Sequence, residues 1–127
     1  MIQVAVLIGL QASGKTTFYR QWLAATHAHV SRENWASAER KERREVALVA
    51  ELLADGHSVA VDDVNPVPSD RAGVLGVARE YGAHTVAYWF PPSRNGSAVR
   101  IFGPHPAERF DEVYVVRFDG VGGFRVE

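Results

Sequence analysis

The hydrophobic positions of the chain form short continuous runs, separated by longer segments with helical spacing. Residues 2–8 (IQVAVLI) are nearly all apolar and end at Gly9, a pattern typical of a central strand covered on both faces. Similar runs predict further strands at residues 27–30, 57–61, 85–90, 113–118 and 123–126. The last two are predicted to form a hairpin across Asp119 and Gly120.

The segments between these strands predict helices. Apolar residues at helical spacing predict a first helix over residues 14–25, a second that runs to residue 54 and a third over residues 69–81. Either Ser31 or Asn34 is predicted to cap the second helix. Strands alternating with such helices predict an α/β fold, a three-layer sandwich whose mostly parallel sheet of about five strands carries helices on both faces.

Composition and charge narrow the classes of protein that remain. The 127 residues are 46% hydrophobic and 23% charged, which predicts one compact domain over residues 1–127. The net charge of -1 provides no global positive field, so any site for a polyanion must be local. The lack of cysteine excludes disulfides, thiolate metal sites and cysteine nucleophiles. The apolar run near the start is too short for a membrane helix, so a cytoplasmic protein without a membrane partner is expected.

A phosphate-binding motif follows the first predicted strand. Residues 9–16 (GLQASGKT) fit the P-loop pattern G-x-x-x-x-G-K-[ST] and precede a predicted helix, whose positive end can face phosphate. Lys15 is expected to reach the β- and γ-phosphates, the Thr16 hydroxyl to ligate Mg²⁺ and Thr17 to donate to the α-phosphate. The predicted ATP-binding residues are Gly9, Gln11, Ala12, Ser13, Gly14, Lys15, Thr16 and Thr17. ATP is favoured over GTP because the chain lacks an N-K-x-D guanine motif.

A candidate metal carboxylate lies at the end of another predicted strand. A P-loop needs a carboxylate that holds the water shell of the metal, and residues 57–61 (HSVAV) lead directly into Asp62 and Asp63. Either aspartate can serve, and Asp62 is favoured, with the other starting the turn at residues 65–66. The motif and this carboxylate together predict a P-loop NTPase sandwich with Thr16 and Asp62 at the metal.

Further segments occur in the order in which a known family has them. They are VSRENW at residues 30–35, SVAVDDVNP at 58–66, DRAGVLGVAREYGAHTVAYWF at 70–90 and ERFDEVYVV at 108–116. With the P-loop, they make the chain similar to the 5′-kinase domain of phage and animal polynucleotide kinases, a branch of the P-loop kinases. The similarity covers about residues 2–90 and resumes near residues 104–118.

The resemblance assigns roles to several residues. It implies a general base at Glu33, where the family has an aspartate, after an arginine that matches Arg32. A glutamate performs the same proton transfer, although its carboxylate reaches about one methylene further. Asp63 and Asn65 fall on the acceptor side of the site, with turn formation as the alternative role for Asn65. Ala36 stands where the phage enzymes have an arginine, so that acceptor-phosphate contact is missing.

The largest departure from the family lies between the strand that ends at Phe90 and the segment that resumes near Phe110. There the family has a helical lid with an arginine that clamps the transferred phosphate, whereas this chain has a proline-rich stretch that predicts irregular structure. We therefore expect a minimal form of the kinase with a truncated lid. Arg94 and Arg100 are the candidates for the arginine clamp.

Three functions are compatible with these residues. The leading hypothesis is an ATP- and Mg²⁺-dependent kinase that phosphorylates a hydroxyl, for which the 5′-OH of DNA or RNA is the favoured acceptor. A small metabolite is the alternative acceptor. The third hypothesis is a nucleotide-binding module without transferase activity, which the changes at Glu33, Ala36 and the lid favour.

The sequence contains two weaker candidate sites, a charged run and a pair of histidines. Residues 39–45 (ERKERRE) predict the solvated face of the second helix, and the alternative is that Arg40, Arg43 and Arg44 hold phosphates of an oligonucleotide. His27 and His29 alternate along a predicted strand without a third ligand at fitting spacing, which disfavours a metal site there.

Overall fold

The computed structural model describes residues 1–34, 40–92 and 101–127, with Asn34 described by its backbone alone. Its strands are β1 (Gln3–Ile8), β2 (His27–Val30), β3 (Ser58–Asp62), β4 (His84–Trp89), β5 (Glu112–Phe118) and β6 (Phe124–Val126). Its α-helices are α1 (Lys15–Phe18), α2 (Lys41–Ala54) and α3 (Pro68–Glu80). A π-helical turn (Tyr19–Leu23) continues α1, and two 3-10 turns cover Arg32–Asn34 and Pro106–Glu108.

The strands form one sheet in the order β2-β3-β1-β4-β5-β6. Every pairing from β2 to β5 is parallel, and β6 returns antiparallel to β5. The mostly parallel α/β sheet is as predicted, but it has six strands in the described residues rather than about five, because the second strand of the C-terminal hairpin also pairs. The P-loop strand β1 is central, which explains its continuous apolar sequence.

Two apolar cores cover the two faces of the sheet, as predicted. The alternate residues Val4, Val6 and Ile8 of β1 pack on the face covered by α2 and α3. Ala5 and Leu7 face the other side, where α1, its π-helical turn and β6 pack. The side chains of a strand alternate between faces, so each strand carries one residue set for each core.

The first two helices differ from their predicted bounds. The first is α-helical only at Lys15–Phe18 and continues as the π-helical turn. The second begins at Lys41, because Arg40 has a left-handed backbone with a φ of 57°. The Ser31 hydroxyl accepts a hydrogen bond from the Glu33 N–H at 3.3 Å, so it supports the short 3-10 turn and not the long helix.

A buried arginine fastens α3 to the segment that precedes β5. Arg71 is fully buried and forms an ion pair with Glu108, with 2.9 Å between Nη1 and Oε2. It also donates to the carbonyl oxygens of Asn65, Phe102 and Gly103. One side chain thus joins the loop after β3, helix α3 and residues 102–108.

Candidate active site

The carboxyl ends of the central strands surround a cleft of about 470 Å³, here called the P-loop cleft. Its lining residues are Gln11, Ala12, Gly14, Lys15, Thr16, Thr17, Glu33, Asp62, Asp63 and Val64. Clefts at this edge of a parallel sheet are where α/β proteins bind their ligands. The structure therefore brings most of the predicted site residues to one place, from three different parts of the chain.

The geometry of the P-loop requires its two glycines. Gly14 has a φ of 94°, and a Cβ there would lie 2.9 Å from Cζ of Phe118. A Cβ on Gly9 would lie 2.8 Å from Cβ of Phe90 and equally close to the Ser13 hydroxyl. The neighbouring structure thus fixes the path of the loop, which passes directly against the C-terminal hairpin.

Lys15 crosses the inside of the loop. Its ammonium donates to the carbonyl oxygens of Gly9 at 2.7 Å and Leu10 at 3.0 Å, which are two of its three possible bonds. Burial lowers the pKa of this ammonium, while the nearby carboxylates of Asp62, Glu33 and Asp63 act in the opposite direction. Lys15 is therefore a nearly buried cation surrounded by acids on the floor of the cleft.

The loop presents polar groups that fit a phosphate chain. The N-terminal N–H groups of a helix have no intrahelical partner, and α1 has no side-chain cap at Gly14. Among the described residues, the buried Ser13 hydroxyl also has no hydrogen-bond partner. These unsatisfied groups fit a ligand with several acceptor oxygens.

Asp62 is the aspartate that reaches the P-loop. The Thr16 hydroxyl donates to Asp62 Oδ2 at 2.8 Å, and Nε2 of His29 lies 2.8 Å from the same oxygen. The predicted metal residues Thr16 and Asp62 are therefore in direct contact. No cluster of three or more His, Asp or Glu side chains that could hold a metal occurs in the described residues. The pair instead fits Mg²⁺, which proteins commonly bind by few side chains and the phosphates of a substrate.

Asp63 points to the opposite face of the sheet and joins a buried charged cluster. Its Oδ1 accepts a hydrogen bond from the Arg32 N–H at 2.8 Å. Nε of Arg32 lies 3.4 Å from Oε1 of Glu45 and 3.9 Å from Oδ2 of Asp63. The predicted acceptor-binding residues Arg32 and Asp63 are thus close together, supported from behind by Glu45.

The burial of Glu45 contradicts the prediction that residues 39–45 form a solvated face. Arg43 and Arg44 are exposed as expected, but Glu45 is completely buried under the cluster. Burial, and then the contact with Asp63, raise the pKa of Glu45 to about 9, although Arg32 opposes this. The burial of Glu45 was not predictable from sequence, because a glutamate inside a charged run is most often on the surface.

The two remaining candidates for the acceptor side have different surroundings. Glu33 is exposed, lies in the 3-10 turn after β2 and lines the cleft. Asn65 is buried, has a φ of 48° and donates from Nδ2 to the Leu7 carbonyl at 2.9 Å. It is not among the lining residues, so its contacts match the turn-forming role that the sequence left open.

A second cleft of about 490 Å³ adjoins the outer side of the P-loop. This hairpin cleft is lined by Leu10, Gln11, Ala12, Ser13, Phe90, Pro91, Pro92, Val116, Arg117, Phe118, Phe124 and Arg125. The ring of Phe118 is 58% exposed and stacks on Phe124, with 5.0 Å between the ring centroids. The sequence did not point to this cleft, because the hairpin residues show no motif.

Some sequence candidates lie outside the described residues. They are Arg94 and Arg100, proposed for the phosphate clamp, and Ala36, which replaces the arginine of the phage motif. On the described part of the chain, none of the helices is long and apolar enough to cross a membrane.

The fold and the loop define an α/β protein of the P-loop NTPase class. The chain matches the AAA domain family over residues 4–102, and it belongs to that family.

Solved structures with a similar fold include three P-loop proteins. A fungal RNA kinase has a TM-score of 0.69 and 16% identity, with 93% of this chain and 76% of that chain covered. APS kinase CysC of Mycobacterium tuberculosis, in complex with AMPPNP and APS, has a TM-score of 0.58 and 18% identity over 90% of this chain and 88% of that one. Kti12 of Chaetomium thermophilum, in complex with ADP-AlF3, has a TM-score of 0.61 and 17% identity over 91% and 89%. At these identities the likeness concerns the fold.

Proposed function

We propose that this protein is a kinase, acting as a single domain, that transfers the γ-phosphoryl group of ATP to a hydroxyl, with the 5′-hydroxyl end of a polynucleotide as the acceptor. One observation carries the proposal. The P-loop cleft brings together a lysine, a contacting threonine and aspartate pair, and an exposed glutamate, which are the kinds of group that phosphoryl transfer uses.

The ATP side of the cleft uses the P-loop. Lys15 and the N–H groups at the start of α1 neutralise and orient the phosphate chain. Thr16 and Asp62 would hold Mg²⁺, which would offset the negative charge of the phosphates. The hairpin cleft, directly beside the P-loop, accommodates the nucleoside, with the exposed Phe118 ring as a stacking surface for the base.

Glu33 is the general base of the proposed reaction. The acceptor oxygen forms a bond to the γ-phosphorus as the bond from that phosphorus to the bridging oxygen of ADP breaks. The hydroxyl proton passes to the Glu33 carboxylate, which belongs to an exposed residue that lines the cleft. The products are ADP and the phosphorylated acceptor.

Several features support a polynucleotide as the acceptor. The segment VSRENW, together with Asp63 and Asn65, resembles the acceptor side of polynucleotide 5′-kinases, and a fungal RNA kinase shares the fold. Arg43 and Arg44 are exposed on α2, which packs beside the turn that carries Glu33. They supply local positive charge for a phosphate backbone on a chain whose net charge is -1. Asn65, Arg94 and Arg100 remain predictions from sequence for the acceptor and clamp.

Transfer of label from γ-labelled ATP tests the proposal. The protein is mixed with Mg²⁺ and 5′-hydroxyl RNA or DNA, with a 5′-phosphorylated oligonucleotide as the blocked control and APS as a small acceptor. Lys15→Ala is paired with Lys41→Ala, the other lysine of the chain. Glu33→Gln is paired with Glu42→Gln, an exposed glutamate of α2.

The proposal expects label on the 5′-hydroxyl oligonucleotide and none on the blocked one. Lys15→Ala should abolish nucleotide binding, whereas Glu33→Gln should keep it and lower the transfer rate by about 10²–10⁴-fold. Label on APS alone would indicate a small-molecule kinase. Nucleotide binding without transfer to any acceptor would indicate a binding module instead of an enzyme.

A further inference from the structure

Asp62 is held by two donors, of which the proposed function explains only one. Thr16 Oγ1 donates to Asp62 Oδ2 at 2.8 Å, as expected for a residue pair at a P-loop metal. Nε2 of His29 lies 2.8 Å from the same oxygen. A carboxylate oxygen accepts hydrogen bonds, so His29 is the donor of this contact in the tautomer that carries a hydrogen on Nε2.

The position of His29 follows from the sheet. Strand β2 pairs in parallel with β3, and His29 lies opposite Ala60. Residues opposite each other share a face, as do residues two apart on one strand, so His29, Ala60 and Asp62 all face α1. His29 thus approaches Asp62 from the side, whereas Thr16 approaches from the P-loop.

The ring of His29 is itself fixed in place. Tyr19 packs against it with 4.5 Å between the ring centroids and 38° between the ring planes. The Tyr19 hydroxyl donates to the carbonyl oxygen of His27 at 2.6 Å, which anchors the tyrosine to β2. Tyr19 belongs to the π-helical turn after α1, an irregularity that is common near functional sites.

We infer that His29 is a positioning residue, whose N–H holds the Asp62 carboxylate in the orientation that serves the metal ion of bound ATP. This inference rests on the proposed function, because it assigns Asp62 to that metal. A carboxylate held by Thr16 alone could rotate about its Cβ–Cγ bond. A second donor on the same oxygen removes that freedom, and groups that orient metal ligands in this way commonly change metal affinity by about 10–100-fold.

Two substitutions separate the hydrogen bond from the packing of the ring. His29→Phe keeps an aromatic ring against Tyr19 but has no donor. His29→Gln keeps an N–H near the position of Nε2. Equilibrium binding of a fluorescent ATP analogue is measured during a Mg²⁺ titration and in EDTA, which requires no acceptor and no turnover.

We expect the Mg²⁺ concentration at half-maximal binding to rise about 10–100-fold in His29→Phe. Binding in EDTA should equal that of the wild type, and His29→Gln should restore most of the Mg²⁺ response. An unchanged Mg²⁺ titration in His29→Phe would overturn the inference, as would an equal loss of binding in EDTA.

Two further results keep the test decisive. If circular dichroism shows that His29→Phe does not fold, His29→Asn takes its place. The shorter amide of asparagine reaches the position of Nδ1 and not that of Nε2. His29→Asn should then show the raised Mg²⁺ requirement while His29→Gln does not. A wild type that binds the analogue without any response to Mg²⁺, or equally well as Lys15→Ala, would contradict the proposed function itself.

Discussion

At the scale of single residues, Asp62 and Asp63 show how one strand serves two sites. Successive side chains leave a strand on opposite faces, so Asp62 reaches Thr16 at the P-loop while Asp63 reaches Arg32 above α2. The adjacent carboxylates therefore have different partners. Glu45 belongs only to the second group, where it is buried against Arg32.

The buried Glu45 predicts a pH-dependent stability. Its pKa is about 9 in the folded protein, against 4.5 as its ordinary value, so between these values the folded chain holds a proton that the unfolded chain releases. This contribution to stability is complete below the lower value and is lost as the pH rises through the upper one, with a slope of at most about 1.4 kcal/mol per pH unit. In Glu45→Gln nothing titrates at this position, so the variant should gain stability relative to the wild type as the pH rises.

Urea unfolding at pH 5.5, 7 and 8.5 measures this difference. Glu51→Gln, an exposed substitution on the same helix, controls for the loss of a glutamate charge. A difference in unfolding free energy between Glu45→Gln and wild type that stays constant over this range would show that Glu45 is ionised in the folded state.

The candidate site was predictable from sequence where a motif or a strand end carried the signal. Lys15 and Thr16 follow from the P-loop pattern, and Asp62 follows from the end of a buried strand. The roles of His29 and Glu45 were not predictable. His29 contacts Asp62, 33 positions away along the chain, and Glu45 contacts Asp63, 18 positions away. Only the pairing of β2 with β3 and the packing of α2 bring these groups together.

At the scale of elements, the C-terminal hairpin forms one wall of the hairpin cleft beside the P-loop. Phe118 and Phe124 contact the position of Gly14 from outside the loop. The hairpin was predicted from two apolar runs around Asp119 and Gly120. The contact of the hairpin with the P-loop was not predicted, because no local sequence pattern indicates which distant loop a pair of strands will pack against.

Truncation of Phe118 should weaken nucleotide binding more than it weakens the fold. The ring is 58% exposed, so Phe118→Ala should cost little stability, but it removes the proposed stacking surface of the hairpin cleft. Stacking of a base on an aromatic ring contributes about 1–3 kcal/mol, which corresponds to about 5- to 150-fold in affinity.

The matched control is Phe102→Ala, since Phe102 is 52% exposed and lines neither cleft beside the P-loop. Titration of a fluorescent ATP analogue gives both affinities. An equal affinity in Phe118→Ala and Phe102→Ala would contradict the assignment of the hairpin cleft to the nucleoside.

At the scale of the whole molecule, hydrogen bonds connect the loop after β3 to the P-loop strand. The Gly9 N–H donates to the Val64 carbonyl at 3.2 Å, and Asn65 donates to Leu7, so the loop after β3 is fastened to the end of β1. Arg71 then holds the Asn65 carbonyl at 3.0 Å. The α/β class and its parallel sheet were predictable from the alternation of strands and helices, whereas this internal network depends on the finished packing.

Arg71→Met should destabilise the fold strongly. The substitution leaves Glu108 with a nearly buried and unpaired carboxylate, which typically costs about 3–5 kcal/mol. Adding Glu108→Gln removes that charge and should recover part of the loss. Thermal and urea unfolding of the single and double variants measure this, with Arg20→Met as an exposed control. Destabilisation of the double variant that equals or exceeds that of Arg71→Met would argue against the buried charge as the cause.

The alternation at Asp62 and Asp63 also determines whether a one-residue deletion or insertion in β3 keeps a carboxylate beside Thr16. Strand β3 pairs with β1 from Val59 onward. If one residue were deleted from β3 between Val59 and Asp62, Asp63 would therefore take the position beside Thr16. The gain of one residue would instead bring Val61 there. The paired aspartates therefore make a deletion in this strand compatible with a carboxylate at the P-loop, while an insertion of the same size removes it.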